Sequence, residues 1–198
     1  MTDVPAPRIT AAVLAGGASR RMGRDKALLP FRGEPMLQAI LRRLSTIFLD
    51  PFVVSNTPER YPFLAFPIVP DRVPGLGPLA GIDAALRHAD TPFVFVCGCD
   101  MPFLSESLLR LLAGKTREGI DLVLPFGPDG AQPLCAIWGR SALPAVEAAL
   151  AEERLSLISL ADRMTVRNVT AVEVAAVDPE FASFRNFNTS KEWQAGPG

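Results

Sequence analysis

At 198 residues, with 48% hydrophobic and 21% charged side chains, the chain has room for one substantial core and reads as a single globular domain over 1–198. A formal net charge of −1 excludes nucleic-acid binding by bulk positive charge, and no apolar run approaches the ~20 residues of a membrane span. Three cysteines without framework spacing point to a reducing cytoplasm, and the polar, proline-rich residues 1–8 are expected to be disordered rather than a signal peptide.

The first element is an apolar run over 9–13, of the length and type of a buried strand, ending in Leu14, Ala15, Gly16 and Gly17. Ser19, Arg20, Arg21, Gly23, Arg24 and Lys26 follow, opposed only by Asp25. Glycines let backbone N–H groups approach an anion closely. Arginine presents a planar fork to phosphate oxygens, and lysine a mobile point charge. The stretch therefore reads as a phosphate-binding loop, although it fits neither Walker A nor the dinucleotide fingerprint. A solvated basic loop is the alternative, and it gives no reason for paired glycines directly after a buried strand.

The Arg32-Gly33 turn leads into a helix predicted over about 34–48, where Met36, Leu37, Ile40, Leu41 and Leu44 fall at helical spacing. Residues 52–56 read as the second strand and 67–71 as a third. Residues 74–81 form a loop running into a helix, and 92–100 hold the clearest buried strand. Ser105 is placed as the N-cap of a further helix. Residues 121–125 and 132–138 read as strands around a Gly-Pro-Asp-Gly turn, 141–150 and 155–161 as helices, and 166–177 as strand-like. Thr189 and Glu192 have capping-box spacing for a terminal helix. Cys97 and Cys99 read as buried thiols, and His88, the only histidine, has no evident catalytic partner.

Strands alternating with helices predict an α/β fold: a Rossmann-like, mostly parallel sheet with right-handed crossovers and helices on both faces. Ligands of such sheets lie beyond the carboxyl ends of the strands, where strand order reverses. Gly16, Gly17, Asn56, Asp71 and Asp100 all follow predicted strands at that end, so separate loops converge on one site. Asp100 should be held rigidly at the rim of the sheet. That suits Mg²⁺, which takes one or two protein carboxylates plus substrate phosphates. A turn aspartate ahead of Met101-Pro102 is the alternative.

The stretch from Leu14 to Lys26 resembles the signature L-A-G-G-x-S-x-R-M-G-x-D-K of the molybdenum cofactor guanylyltransferases. The resemblance covers roughly 9–193, with its specificity concentrated before Pro102. It implies a fold of the nucleotide-diphospho-sugar transferase (GT-A-like) type. It also implies transfer of GMP from GTP to the phosphate of molybdopterin or Mo-molybdopterin, release of pyrophosphate, and Mg²⁺ held at Asp100. Transient contact with proteins that deliver or receive the cofactor is implied as well. By the same resemblance Lys26 and Arg21 meet the phosphates and, with Asp100, carry catalysis. Leu14, Ala15, Gly16, Gly17, Asn56 and Asp71 join Gly77, Pro78, Leu79 and Gly81 in binding the nucleotide. L-A-G-G, in place of the L-A-A-G of related cytidylyltransferases, points to guanine. Gln132, Arg154, Asn186 and Asn188 resemble the half of the family that holds the acceptor. Where the family often has a denser basic cluster, this chain has Arg154-Leu-Ser-Leu-Ile-Ser. A relative that uses CTP or a sugar phosphate, and a nucleotide-binding module without turnover, are the alternatives the residues leave open.

Overall fold

The computed structural model describes residues 8–16 and 25–187. Gly17, Arg20, Arg21, Arg24, Asn188, the Thr189/Glu192 pair and the N-terminal residues 1–7 lie outside them. In chain order the elements are β1 (Ile9–Leu14), a hairpin of β2 (Pro30–Phe31) and β3 (Glu34–Pro35), α1 (Met36–Leu44), β4 (Leu49–Val54), β5 (Ile68–Val69), α2 (Pro78–His88) and β6 (Phe93–Gly98). Then come α3 (Glu106–Ala113), β7 (Leu122–Gly127), β8 (Gly130–Ala131), β9 (Cys135–Gly139), α4 (Leu143–Ala151), α5 (Leu157–Ala161), β10 (Val166–Val169) and α6 (Ala171–Ala175).

The main sheet runs β10-β7-β9-β6-β1-β4-β5, with β8 paired to β7. β1 lies parallel to both β4 and β6, β4 to β5, and β7 to β10. Among the described strands of this sheet, only β8 and β9 run against the direction of the rest. A short connection from β7 cannot make a parallel crossover, so the chain turns back on itself there. The sheet is thus mostly parallel, as expected.

Strand alternation divides the core in two. Ala11 and Val13 of β1 and Phe95 and Cys97 of β6 face one side, packed with Met36, Ile40 and Leu44 of α1 and Leu108 and Leu112 of α3. Ala12, Val94 and Val96 face the other side, with Leu79, Ile82 and Leu86 of α2, Val146 of α4 and Leu160 of α5. All these side chains are no more than 3% exposed, so the sheet is covered on both faces.

Several boundaries differ from the sequence reading, including a first helix that ends at Leu44 and a strand that begins at Cys135 rather than Gln132, and four of the differences have a local reason. The first helix starts at Met36 rather than Glu34, because Glu34 and Pro35 pair with Phe31 and Pro30. Arg32 (φ 51°) and Gly33 (φ 86°) make the turn between them, the doubly left-handed geometry that suits a two-residue hairpin. β4 begins at Leu49, before Pro51, through an irregularity in its pairing with β1. Ser141 sits in a 3-10 turn, and α4 proper begins at Leu143. The strand-like stretch 166–177 is a strand and then a helix. Thr170 accepts from the Glu173 N–H while the Glu173 carboxylate accepts from the Thr170 N–H, closing a capping box that redirects the chain into α6. Ser105 caps α3 as expected, accepting from the Leu108 N–H at 3.1 Å.

After β1 the chain moves outward to β4 and β5, then returns to lay β6 on the other flank of β1. The order therefore reverses between β1 and β6. No helix among the described residues is long and apolar enough to cross a membrane.

Candidate active site

Register places the loops. Leu14 lies opposite Val54 on one side and Gly98 on the other, and Val54 lies opposite Val69. Residues 15–16, 55–56, 70–71 and 99–100 therefore leave the sheet at one end, around the reversal. The ladder continues one step past the strands. The Ala15 N–H donates to the Val54 carbonyl at 2.9 Å, and the Cys99 N–H to the Leu14 carbonyl at 3.2 Å. Gly16 then emerges exposed, where an added Cβ would meet none of the described residues within 4 Å.

Two loops meet side chain to side chain at this end. The Lys26 ammonium donates to Asp100 Oδ2 at 3.0 Å, with the two side chains 20% and 24% exposed. Lys26 stands at the start of a 3-10 turn, Lys26–Leu28, capped by Asp25 Oδ1, which accepts from the Ala27 N–H at 3.1 Å. The sequence reading gave Asp25 no role beyond opposing charge. In the structure its second oxygen accepts from the Tyr61 hydroxyl at 3.0 Å and from Arg60 at 3.4 Å. Neither residue was legible beforehand, since the chain's only tyrosine lies outside any motif.

Asp100 is fixed from the opposite direction as well. Its carbonyl accepts from the Phe187 N–H at 2.8 Å, which brings Asn186 beside it in the chain. Among the described residues no group of three or more histidine, cysteine or acidic side chains could cage a metal. A cation here would draw on one carboxylate and on substrate oxygens, a donor set that suits Mg²⁺. Cys99, beneath Asp100, has its thiol pushed up to about 12 by burial and then by the Asp100 carboxylate, so it stays neutral. Cys97 is buried as well, as the sequence reading of these two thiols has it, and so is Cys135. His88 is exposed and its ring packs edge-on against Phe52 at 4.6 Å, well inside β4 rather than at the loop end.

Gly98 bears directly on the carboxylate. A Cβ there would lie 2.7 Å from Asp100 Oδ1, closer than such contacts come, and the nearest group is the movable end of a side chain. Gly98→Ala is therefore expected to displace the carboxylate rather than unfold the strand. Turnover should fall about tenfold to a hundredfold, while the melting temperature shifts by no more than about 2–4 °C. Parallel losses of turnover and of folded protein would show that the displacement is not local.

On the far side of β4, Asn56 and Asp71 clasp each other. The Asn56 amide donates to Asp71 Oδ1, and Asn56 Oδ1 accepts from the Asp71 N–H at 3.0 Å. Gly77 (φ 68°) occupies the N-cap position of α2, and Pro78 takes its first turn. A Cβ on Gly81 would lie 3.0 Å from a Leu14 methyl, so glycine there lets α2 press against the end of β1. Leu79, expected to bind the nucleotide with this segment, turns its side chain inward. It is fully buried among the α2-side core residues, so its side chain supports the loop and only its backbone can reach a nucleotide.

The MobA-like NTP transferase domain family matches residues 11–167. A molybdenum cofactor guanylyltransferase of Desulfosudis oleivorans is 32% identical over 185 residues, covering 93% of this chain and 92% of its own. The chain belongs to this family. A solved structure of a molybdopterin-guanine dinucleotide biosynthesis protein A from Archaeoglobus fulgidus superposes with a TM-score of 0.81 at 27% identity, covering 94% of this chain and 95% of the other. A nucleotidyl transferase from Methanothermobacter thermautotroptrophicus shares the fold, with a TM-score of 0.65 at 17% identity over 95% of both chains.

Within this nucleotidyltransferase the remaining expected residues are placed unequally. Gln132 precedes β9, whose first residue lies opposite Cys97 near the carboxyl end of β6, so it shares the end of the sheet with Asp100. Its amide donates to the Gly130 carbonyl at 3.3 Å. Asn186 is exposed beside Phe187. Arg154 lies after α4, half exposed, and is ion-paired with Glu152, which also takes Arg163 at 3.5 Å. No described ion pair or hydrogen bond of Arg154 ties it to Lys26 or Asp100.

Proposed function

We propose that the chain performs the family reaction, joining GMP from GTP to the terminal phosphate of molybdopterin, with Lys26 and Asp100 at its centre. The observation that carries this reading is the 3.0 Å contact between Lys26 and Asp100 across the strand-order reversal. A cation on the loop after β1 and a carboxylate on the loop after β6 are held where a triphosphate lying across the two strand ends would meet both. An oxygen of the acceptor phosphate attacks the α-phosphorus of GTP, the bond from that phosphorus to the bridging oxygen breaks, and pyrophosphate leaves. No protein nucleophile is required, because positioning and charge stabilisation carry phosphoryl-type transfers.

In this reading Lys26 neutralises charge on the reacting phosphates, and Arg21 adds to it from the stretch before Asp25. Mg²⁺ held by Asp100 and phosphate oxygens would stabilise negative charge on the departing pyrophosphate. Exposed Gly16, with Gly17 next to it, gives the backbone close access to the nucleotide. The Asn56–Asp71 clasp and the backbone of Gly77 to Gly81 face base and ribose. Gln132 and Asn186 serve the acceptor side, Asn188 and Arg154 are assigned to it by the resemblance, and Arg154 is ion-paired with Glu152. The acceptor is molybdopterin or its molybdenum-bearing form, exchanged with delivering or receiving proteins by a single-domain enzyme of the cytoplasm.

A base read by main-chain groups discriminates through the polar atoms that the wrong base leaves unpaired. GTP is therefore expected to bind at least about tenfold more tightly than CTP or ATP in calorimetry with Mg²⁺ present. Pyrophosphate release should require GTP and molybdopterin together. Equal affinities for the three nucleotides would remove guanine selectivity from the reading, and release with CTP would favour a cytidylyl-transferring relative.

A further inference from the structure

We propose that Tyr61 is a positioning residue for nucleotidyl transfer, its hydroxyl bracing Asp25 so that the 3-10 turn holds Lys26 against Asp100. The inference rests on the reading of Lys26 and Asp100 given above. Tyr61 reaches Asp25 from the segment that follows β4 and carries Asn56, so the brace joins the loop after β1 to the loop on the base side. Its ring is 2% exposed and belongs to the α1-side core, packed edge-on with Phe63 at 6.4 Å. Its own N–H is tied to the Pro58 carbonyl at 3.0 Å at the end of the 3-10 turn Pro58–Arg60. The ring is therefore a fixed post, and the hydroxyl is its one polar handle.

Asp25 divides its two oxygens between distinct tasks. Oδ1 accepts from the Ala27 N–H and so sets the turn that begins at Lys26, while Oδ2 accepts from the Tyr61 hydroxyl at 3.0 Å and from Arg60 at 3.4 Å. Without the hydroxyl, Oδ2 would keep only the longer contact to Arg60, a side chain 46% exposed, so the carboxylate could rotate and the turn it caps would rotate with it. Lys26 is one residue from that carboxylate and its ammonium is five bonds from Cα, so a small change at the cap moves the charge at its tip. Burial, followed by the Asp25 charge, pushes the Tyr61 hydroxyl well above its ordinary range, so it stays a proton donor at any working pH. The hydroxyl of Ser55, the residue before Asn56, acts on the same phenol in the opposite sense.

The brace predicts an effect on rate that passes through Lys26. Tyr61→Phe keeps the buried ring and removes only the donor. It is expected to lower kcat about tenfold with KM for GTP changed less than about twofold, because the loosened charge acts chiefly on the transition state. Its melting temperature should stay within about 4 °C of the parent. The decisive comparison is made in the Lys26→Ala background. There Tyr61→Phe should cost nothing further, since residues acting as a unit are not additive. An undiminished second loss in that background would overturn the proposal, as would wild-type kcat in Tyr61→Phe alone. A fall in kcat that merely follows a fall in folded protein would also overturn it. If Lys26→Ala alone turns over at the wild-type rate, the assignment of Lys26 fails and the brace with it; if Lys26→Ala is slow while Tyr61→Phe is not, only the brace fails.

Discussion

Lys26→Ala is expected to reduce turnover by roughly tenfold to a thousandfold while the chain stays folded. The sequence suggests a loop cation whose removal would leave stability nearly unchanged, within about 0.5 kcal/mol as for an ordinary surface substitution. The structure changes the second half of that expectation. Lys26 is 20% exposed and donates to Asp100, so the substitution leaves a partly buried carboxylate without this donor. Asp100 is still 24% exposed and keeps access to water, which limits the cost to about 1 kcal/mol or less. A loss of that size shifts the melting temperature by only a few degrees. Turnover is expected to fall further because, in the proposed role, the ammonium is aimed at charge that develops during transfer, and such contacts act mainly in the transition state. Single-turnover kinetics with saturating GTP and thermal unfolding separate the outcomes. A slow but folded variant supports the assignment. Unchanged turnover would remove Lys26 from the site, and a large loss of stability would make it a structural residue.

The same pair shows what could be read from the chain and what could not. Five strand-end residues were assigned to one end of the sheet from pattern alone, and register bears this out for the four described ones, Gly16, Asn56, Asp71 and Asp100. Continuous apolar runs such as 92–100 carry that information locally, because both faces of a parallel strand are buried. The two cores and the helices on each face follow from strand and helix periodicities. Boundaries set by hydrogen bonds between distant residues did not appear in the pattern. The pairing of Glu34 and Pro35 into a hairpin displaced a helix start that propensity alone would place earlier. The capping box at Thr170 and Glu173 was present in the sequence but was masked by the β-branched residues around it, which favour strand.

At the site the limit is of another kind. Asp25 was visible as a charge, and Tyr61 and Arg60 as ordinary residues some 35 positions away, but only folding places their hydroxyl and guanidinium on its carboxylate. Leu79 shows what a motif leaves unsaid. It lies within a recognisable G-P-L-A-G segment, yet α2 turns its side chain into the core, and a motif does not separate residues that contact a ligand from those that hold the contacting ones in place.

Asp100→Asn is expected to have the largest effect of any single substitution, lowering Mg²⁺-dependent turnover by about a thousandfold or more. The variant preserves size. Its amide oxygen can still accept from Lys26, and the carbonyl that accepts from Phe187 belongs to the backbone and is unaffected. The fold should therefore persist, with the melting temperature within a few degrees of the parent. What is lost is the full negative charge, and among the described residues no cluster of acidic groups stands nearby to replace it. A neutral amide binds Mg²⁺ poorly and cannot hold it against the triphosphate at the reacting end of the nucleotide. The consequence is measurable apart from activity. In the parent chain, added Mg²⁺ should strengthen GTP binding in calorimetry; in Asp100→Asn that gain should shrink or vanish, while binding of GTP without metal changes little. The two readouts constrain each other. Lost turnover with the Mg²⁺ gain intact would make Asp100 a partner of Lys26 rather than the metal ligand. Wild-type turnover would return it to a turn aspartate ahead of Met101-Pro102, and Lys26 would then have to act on the phosphates alone.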